Sequence, residues 1–426
     1  MRFPVCAAFA SIIALLAGCE RPASSTPSAA SAPSDAAADV DRLRALPYAG
    51  GVEDDPESAD GVVDIDPERS YPGYNLYVLF RLCTAELIDP SGTVVQRWKY
   101  EPGRHWDNCE VLPDGDLVVT GADRTRPGLT GIEDDKRFLM RIAPDSRVVW
   151  KRSITAHHDV EVHPQGGLLT LSFERRIIPE IHPTVETRDD ALSLLDLDGV
   201  LIDRLPLYDT LRKKPDVFRF QPVRPEREAD TTWVDLFHCN SVERMRREAL
   251  FGTHPLYSPD HVLVCSRHQD RVFIVDFKRR EVVWAWGEGQ LDGPHDATLL
   301  DNGRILLFDN GLVRGWSRVL EVDPRTNEIA WEYKAPNPRD FYTKSKGSCQ
   351  RLPNGNTLIA NSDNARAFEV TPAGEVVWEW VCPYWLLTSD GQNERATIVR
   401  LYRFSVDEAQ ALLATIRKRF ADPAPG

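Results

Sequence analysis

Short apolar runs, each closed by a turn signal, recur along most of this chain. The clearest pair lies at 293–311. There a histidine is followed by an apolar run, the turn Asp301-Asn302-Gly303 and a second run at 305–308. Asn-Gly supplies the φ > 0 residues that a tight hairpin turn needs, so the stretch predicts a β-hairpin. Aligning the turn glycines gives further copies at 108–115 (NCEVLPDG), 158–166 (HDVEVHPQG) and 347–355 (GSCQRLPNG), each followed by a second apolar run. Each copy is preceded by a third run, a turn, and a run ending in Trp98, Trp150, Trp284 or Trp331. His238-Cys239-Asn240-Ser241-Val242 starts a fifth hairpin, with 261–266 as partner and a charged insertion near 212–231 before it, predicted as a surface loop. Residues 61–66 and 75–80, turned by Pro72-Gly73, predict a sixth hairpin without outer strands, and the half-copy at 367–380 lacks a hairpin. Joining the two closes a ring and removes open sheet edges. About fifty residues separate Gly115 from Gly166 and Gly303 from Gly355. Several strands per unit at that period predict an all-β fold, a six-bladed β-propeller over 60–385. The tryptophans are expected to pack between blades. In the tail, 386–426, Ser405-Val406-Asp407-Glu408 is a capping box opening an amphipathic helix.

Composition narrows the function. A net charge of −14 argues against non-specific nucleic-acid binding. Hydrophobic content of 42% and eleven tryptophans fit a well-cored globular protein. Arg2, the apolar stretch 7–17 and Leu16-Ala17-Gly18-Cys19 read as a secretory signal over 1–18. Leu-Ala-Gly-Cys resembles a bacterial lipoprotein box, which implies lipidation of Cys19. Glu20, in place of an inner-membrane aspartate, implies the periplasmic face of the outer membrane. Residues 19–59 then form the lipidated cysteine and an Ala/Ser/Pro-rich tether. Six cysteines remain besides Cys6 and Cys19. An even number in an exported chain permits disulfides without revealing their pairing. No Cys-x-x-Cys or Cys/His spacing supports a zinc ribbon.

The candidate chemistry follows from the repeat. His158, His238 and His295 occupy the same position in three copies, while Asp107 and Gly347 occupy it in two others. In a propeller such positions face one another across the central channel, so three imidazoles converge on one mouth. Opposite His238 lies Arg267, as Asn310 lies opposite His295. His157, His163, His182, His254 and His261 show no such register and read as structural, while His105 and His268 stay open. Three imidazoles suit a transition metal. Alternatively one is a nucleophile and the others, with Arg267, stabilise charge on a transferred group. A guanidinium beside a divalent cation is electrostatically unfavourable, which favours the second chemistry and no metal.

Four motifs, His157-His158-Asp159-Val160-Glu161-Val162, Phe237-His238-Cys239-Asn240-Ser241-Val242, Ser266-Arg267-His268 and Gly293-Pro294-His295-Asp296 with Leu307-Phe308-Asp309-Asn310-Gly311, resemble the bacterial arylsulfate sulfotransferase family, the cofactor-independent kind. The resemblance implies a six-bladed propeller. It also implies that His295 attacks the sulfur of a phenolic sulfate ester and is transiently sulfated, and that a phenol then takes the group in a ping-pong cycle. His158, His238 and Arg267 would bind the sulfuryl oxygens and the leaving phenolate, with Asp107 and Asn310 as substrate contacts. No cofactor is implied, and no GxxxxGK loop for a nucleotide sulfate is present. The expected partners are small-molecule phenols and their sulfate esters, and the membrane through the N-terminal lipid alone. The family's N-terminal β-sandwich has no counterpart in the short polar segment before residue 60, which leaves the oligomeric state open. A non-catalytic lipoprotein scaffold and a His-ligated metal enzyme are the two other functions this scaffold allows.

Overall fold

The structure, a computed structural model, describes residues 48, 50–125, 134–163, 166–228, 231–388 and 391–421. The signal segment 1–18, Cys19 and most of the tether lie outside them. The apolar runs without alternation form strands buried on both faces, such as His261–Ser266 and Arg271–Asp276. Strands that read as alternating or polar lie outermost, such as Val94–Lys99. A strand buried on both faces needs a sheet on each side.

Six antiparallel-based sheets of four or more strands supply them. The first runs Ile398–Ser405, Gly73–Leu79, Thr84–Ile88, Val94–Lys99, and the second Gly103–Val111, Leu117–Asp123, Arg137–Ile142, Val148–Arg152. The third opens with His157–Val162, the fourth with Cys239–Arg244, the fifth with Pro294–Leu299 and the sixth with Ser348–Arg351. These opening strands touch one another in cyclic order, Ile398–Ser405 contacting both Ser348–Arg351 and Gly103–Val111. One apolar core fills each gap between successive sheets. Trp98 and Trp106 meet between the first and second, and Phe273 joins the cluster between third and fourth. Phe308 and Phe368 meet between fifth and sixth, and Trp380 and Ile398 between sixth and first. Truncating such a buried aromatic to alanine costs about 3–5 kcal/mol. The repeat tryptophans bridge neighbouring sheets. Trp98 Nε1 donates to Gly115 O, Trp150 Nε1 to Leu197 O, Trp284 Nε1 to Asn327 Oδ1 and Trp331 Nε1 to Pro372 O.

The ring's join differs from the sequence expectation. Gly61–Ile65 does not pair with 75–80. It adds a fifth, outermost strand to the sixth sheet beside Val376–Val381. The opening strand of the first sheet comes instead from the tail, where Ile398–Ser405 pairs with Gly73–Leu79. Apolar period fixes which face of a strand is buried but not its partner, and here the partner is near the other chain end. The boundary expected at 385 therefore cuts through the ring. The capping box forms: Ser405 Oγ accepts from Glu408 N at 3.2 Å, and Glu408 Oε2 from Ser405 N at 2.9 Å. Its helix, Val406–Ala421, sets Leu413 and Ile416 against the first core. The insertion near 212–231 is not only a surface loop. Phe218 is buried in the core between the third and fourth sheets, and Thr231–Asp235 pairs parallel to Glu186–Leu195. The six cysteines from Cys83 to Cys382 are free, buried thiols. Among the described residues no helix is long and apolar enough to cross a membrane.

Candidate active site

Opening strands enter one end of the ring through irregular backbone. Their pairing slips between Trp106 and Asn108, His157 and Val160, Cys239 and Ser241, and His295 and Thr298. His158, His238 and Asp296 adopt left-handed φ of 60°, 46° and 51°. Such bulges re-aim side chains, and strained non-glycine residues gather where function over-determines geometry. Here they bring three imidazoles around one phenol. The Tyr48 ring centroid lies 5.3 Å from that of His158, 6.0 Å from His238 and 6.1 Å from His295. His158 and His238 are 4.8 Å apart.

Hydrogen bonds fix which nitrogen is bare on His295 and His238. His295 Nδ1 faces two acceptors, Asn310 Oδ1 at 2.7 Å and Gly293 O at 3.1 Å. Asn310 cannot be reversed, because its Nδ2 donates to Thr343 O at 2.8 Å and Lys346 O at 2.6 Å. His295 therefore carries its proton on Nδ1, and Nε2 presents a lone pair that accepts from the Tyr48 hydroxyl at 3.0 Å. His238 Nδ1 lies 2.6 Å from Asp235 Oδ2, which likewise leaves Nε2 bare. His157 Nε2 lies 3.3 Å from Asp190 Oδ1 without a hydrogen bond, and one of the Nδ1 atoms of His157 and His158 donates to the other at 2.8 Å. Among the described residues, the Nε2 atoms of His158 and His238 are buried with no hydrogen-bond partner.

Burial sets the charge states. It pushes His295 down to about 3, helped by the Arg267 guanidinium, and holds His158 well below the usual imidazole range. These rings are neutral bases across physiological pH. For Asp235 burial acts upward, but Arg188 and His238 outweigh it and hold the carboxyl well below its usual range. Asp107 is likewise pushed up by burial yet ends at about 2 through His105 and Arg137. Arg267 is buried, and its charge acts on Tyr48, His238 and His295. Lys346, also buried, stands 2.9 Å from Asp363 Oδ1 and 5.6 Å from the Tyr48 ring. With Tyr48 in place a void of about 40 Å3 remains, lined by Asp107, His158, His295, Lys346 and Arg400 among others. Arg400 bonds Asp296, lies 3.7 Å from Asp159 and separates this void from a cavity of about 480 Å3 farther along the ring axis.

The expected set is thus brought together, with one change of place. Asn310, expected as a substrate contact, is bonded to His295 Nδ1 and does not line the void. Asp107 lines the void while accepting from the His158 backbone N–H at 3.2 Å. Of the open histidines, His105 bridges to Asp107 at 3.2 Å and His268 lies against His238, ring centroids 4.6 Å apart. His157, read as structural, is hydrogen-bonded to His158 through their Nδ1 atoms. The sequence reading missed Tyr48, Asp235, Lys346 and Arg400. Only Asp235 left a trace, an acid three residues before His238. The only group of three residues close enough to share an ion among the described residues is Asp235, His238 and His268, not the three repeat histidines. Within it Asp235 and His238 already satisfy each other.

A family model described as arylsulfotransferase (ASST) matches residues 109–382, more than half of the chain. No curated protein matches. Similar solved structures include a Bacteroides caccae protein of unknown function, with 13% identity, 72% of this chain and 93% of that chain covered, and a TM-score of 0.48. Others are the WD40 β-propeller domain of Doa1 (12% identity, 82% and 95% covered, TM-score 0.43) and streptogramin B lyase (8%, 84% and 97%, TM-score 0.43). The sheet topology, not these likenesses, carries the fold.

Proposed function

The chain belongs to the arylsulfotransferase family, and we propose that it moves a sulfuryl group from a phenolic sulfate ester to a phenol through a sulfohistidine at His295. One observation carries this reading: His295 is anchored at Nδ1 by Asn310 and Gly293, so that Nε2 offers a lone pair beside Arg267. In the first half-reaction that lone pair attacks sulfur, the N–S bond forms and the S–O bond to the aryl group breaks. Arg267 offsets the charge that builds on the leaving phenolate and the sulfuryl oxygens. In the second, an acceptor phenol attacks the same sulfur, and the new S–O bond forms as the N–S bond breaks and returns the lone pair to His295 Nε2. The phenol's proton passes to His238 Nε2, whose imidazolium Asp235 stabilises from behind.

The six sheets are read as the blades of a closed six-bladed propeller, supported by the cyclic contacts of their opening strands and the six cores between them. Export and a lipid anchor at Cys19 rest on Arg2, the apolar stretch 7–17 and Leu16-Ala17-Gly18-Cys19, and the periplasmic face of the outer membrane rests on Glu20. The test is turnover. Purified protein should release many equivalents of phenolate from an aryl sulfate only when a phenol acceptor is added, and His295→Ala should release none. Undiminished turnover in His295→Ala would sink the assignment.

A further inference from the structure

The Tyr48 phenol stands against His295 Nε2, the atom read as the nucleophile. We propose that this tyrosine is itself a sulfuryl acceptor, so that the chain sulfates its own Tyr48; this rests on the reading of His295 as the sulfated nucleophile.

The Tyr48 oxygen lies 3.0 Å from His295 Nε2, the atom that would carry the group. The ring is wedged among His158, His238 and Phe80, with Lys346 over it. A sulfuryl group on Nε2 must lie between these two atoms, so the returning ring stands farther from Nε2 than 3.0 Å, its oxygen directed at the sulfur by the same neighbours. Confining the two reactants in this way converts a bimolecular step into a unimolecular one. Burial drives the Tyr48 phenol upward from its ordinary value, so it stays protonated and needs a base to become a nucleophile. The His158 and His238 rings lie 5.3 and 6.0 Å from the Tyr48 ring, and their buried Nε2 atoms have no hydrogen-bond partner among the described residues.

The void left beside Tyr48, about 40 Å3, holds water but not an aryl sulfate, since drug-sized ligands occupy roughly 300 Å3 or more. The donor therefore enters when the tyrosine ring is out of the mouth and leaves its sulfuryl group on His295. When the ring returns, its oxygen attacks sulfur. The N–S bond to His295 breaks, the S–O bond to Tyr48 forms, and the phenolic proton passes to His238 Nε2. His295 recovers its lone pair, and the aryl sulfate is the only co-reactant.

The experiment exposes the full chain to para-nitrophenyl sulfate without added phenol and maps the modified peptides by mass spectrometry. The expected result is one sulfuryl group on Tyr48, missing in His295→Ala, with the group held on His295 in Tyr48→Phe. Phenolate release with an unmodified Tyr48 would overturn this inference and leave the proposed function standing. No phenolate release and no label would overturn both. His295→Ala protein labelled at Tyr48 by added wild type would show transfer between chains and overturn the intramolecular step.

Discussion

Replacing Asn310 with leucine removes one hydrogen bond from the reacting imidazole and little volume. His295 Nδ1 then keeps only Gly293 O at 3.1 Å, having lost the shorter contact at 2.7 Å. A neutral hydrogen bond contributes about 0.5–1.5 kcal/mol net, and each 1.36 kcal/mol is about tenfold in rate, so the loss should slow His295 sulfation about three- to tenfold. Asn310 also donates to Lys346 O and Thr343 O. Thr343 O keeps a bond from Ser317 Oγ at 3.2 Å, and Lys346 O loses the bond from Asn310. Losing these buried donated bonds costs about 1–3 kcal/mol of stability. The assay is stopped-flow release of nitrophenolate from para-nitrophenyl sulfate, with the variant's denaturation midpoint measured alongside. Asn310→Asp separates positioning from packing: a carboxylate still accepts from Nδ1 but raises the imidazole's affinity for a proton, so the acid limb of the pH profile should move up. A folded Asn310→Leu protein with an unchanged burst rate would refute the anchoring role. Loss as complete as in His295→Ala would place Asn310 on the reacting group instead.

Three other outcomes are expected. Wild-type burst rate should be level from about pH 5 to 8, because His295 is held at about 3; an ordinary histidine would lose half its rate near pH 6.5. Asp235→Asn keeps a partner for His238 but removes the charge that stabilises its imidazolium, so transfer to the acceptor phenol should slow more than sulfation of His295, measured as burst against steady-state rate. Stability should fall on acidification. His157 titrates at about 4 when folded and near 6.5 when unfolded, so its contribution is complete above about 6.5, is lost as the pH falls toward 4, and amounts to about 3 kcal/mol. Denaturant titrations at the two ends of that window, with His157→Gln as comparison, measure it.

How far the chain could be read depends on what each residue answers to. The turns at Asp301-Asn302-Gly303 and Pro353-Asn354-Gly355 are local chemistry, and both join adjacent strands of their sheets. The shared register of His158, His238 and His295 was legible because symmetry turns a repeat position into a place. The strand Ile398–Ser405 was not, since its partner Gly73–Leu79 is remote and its alternation is that of any half-buried strand. Asn310 stands opposite His295 in the repeat, yet which side of the ring it takes is decided by carbonyls of Thr343 and Lys346 from another segment. Tyr48 sits between Pro47 and Ala49 in a stretch whose composition reads only as tether. No pattern in the sequence says that its ring fills the mouth.

The most direct measurement is the mass of the Tyr48→Phe chain, quenched after a single exposure to an aryl sulfate and digested to locate the modification. One sulfuryl group on the peptide that carries His295, formed at the rate of phenolate release, is the expected result. Phenolate released with that peptide unmodified, or an unmodified chain that releases none, contradicts a sulfohistidine at His295.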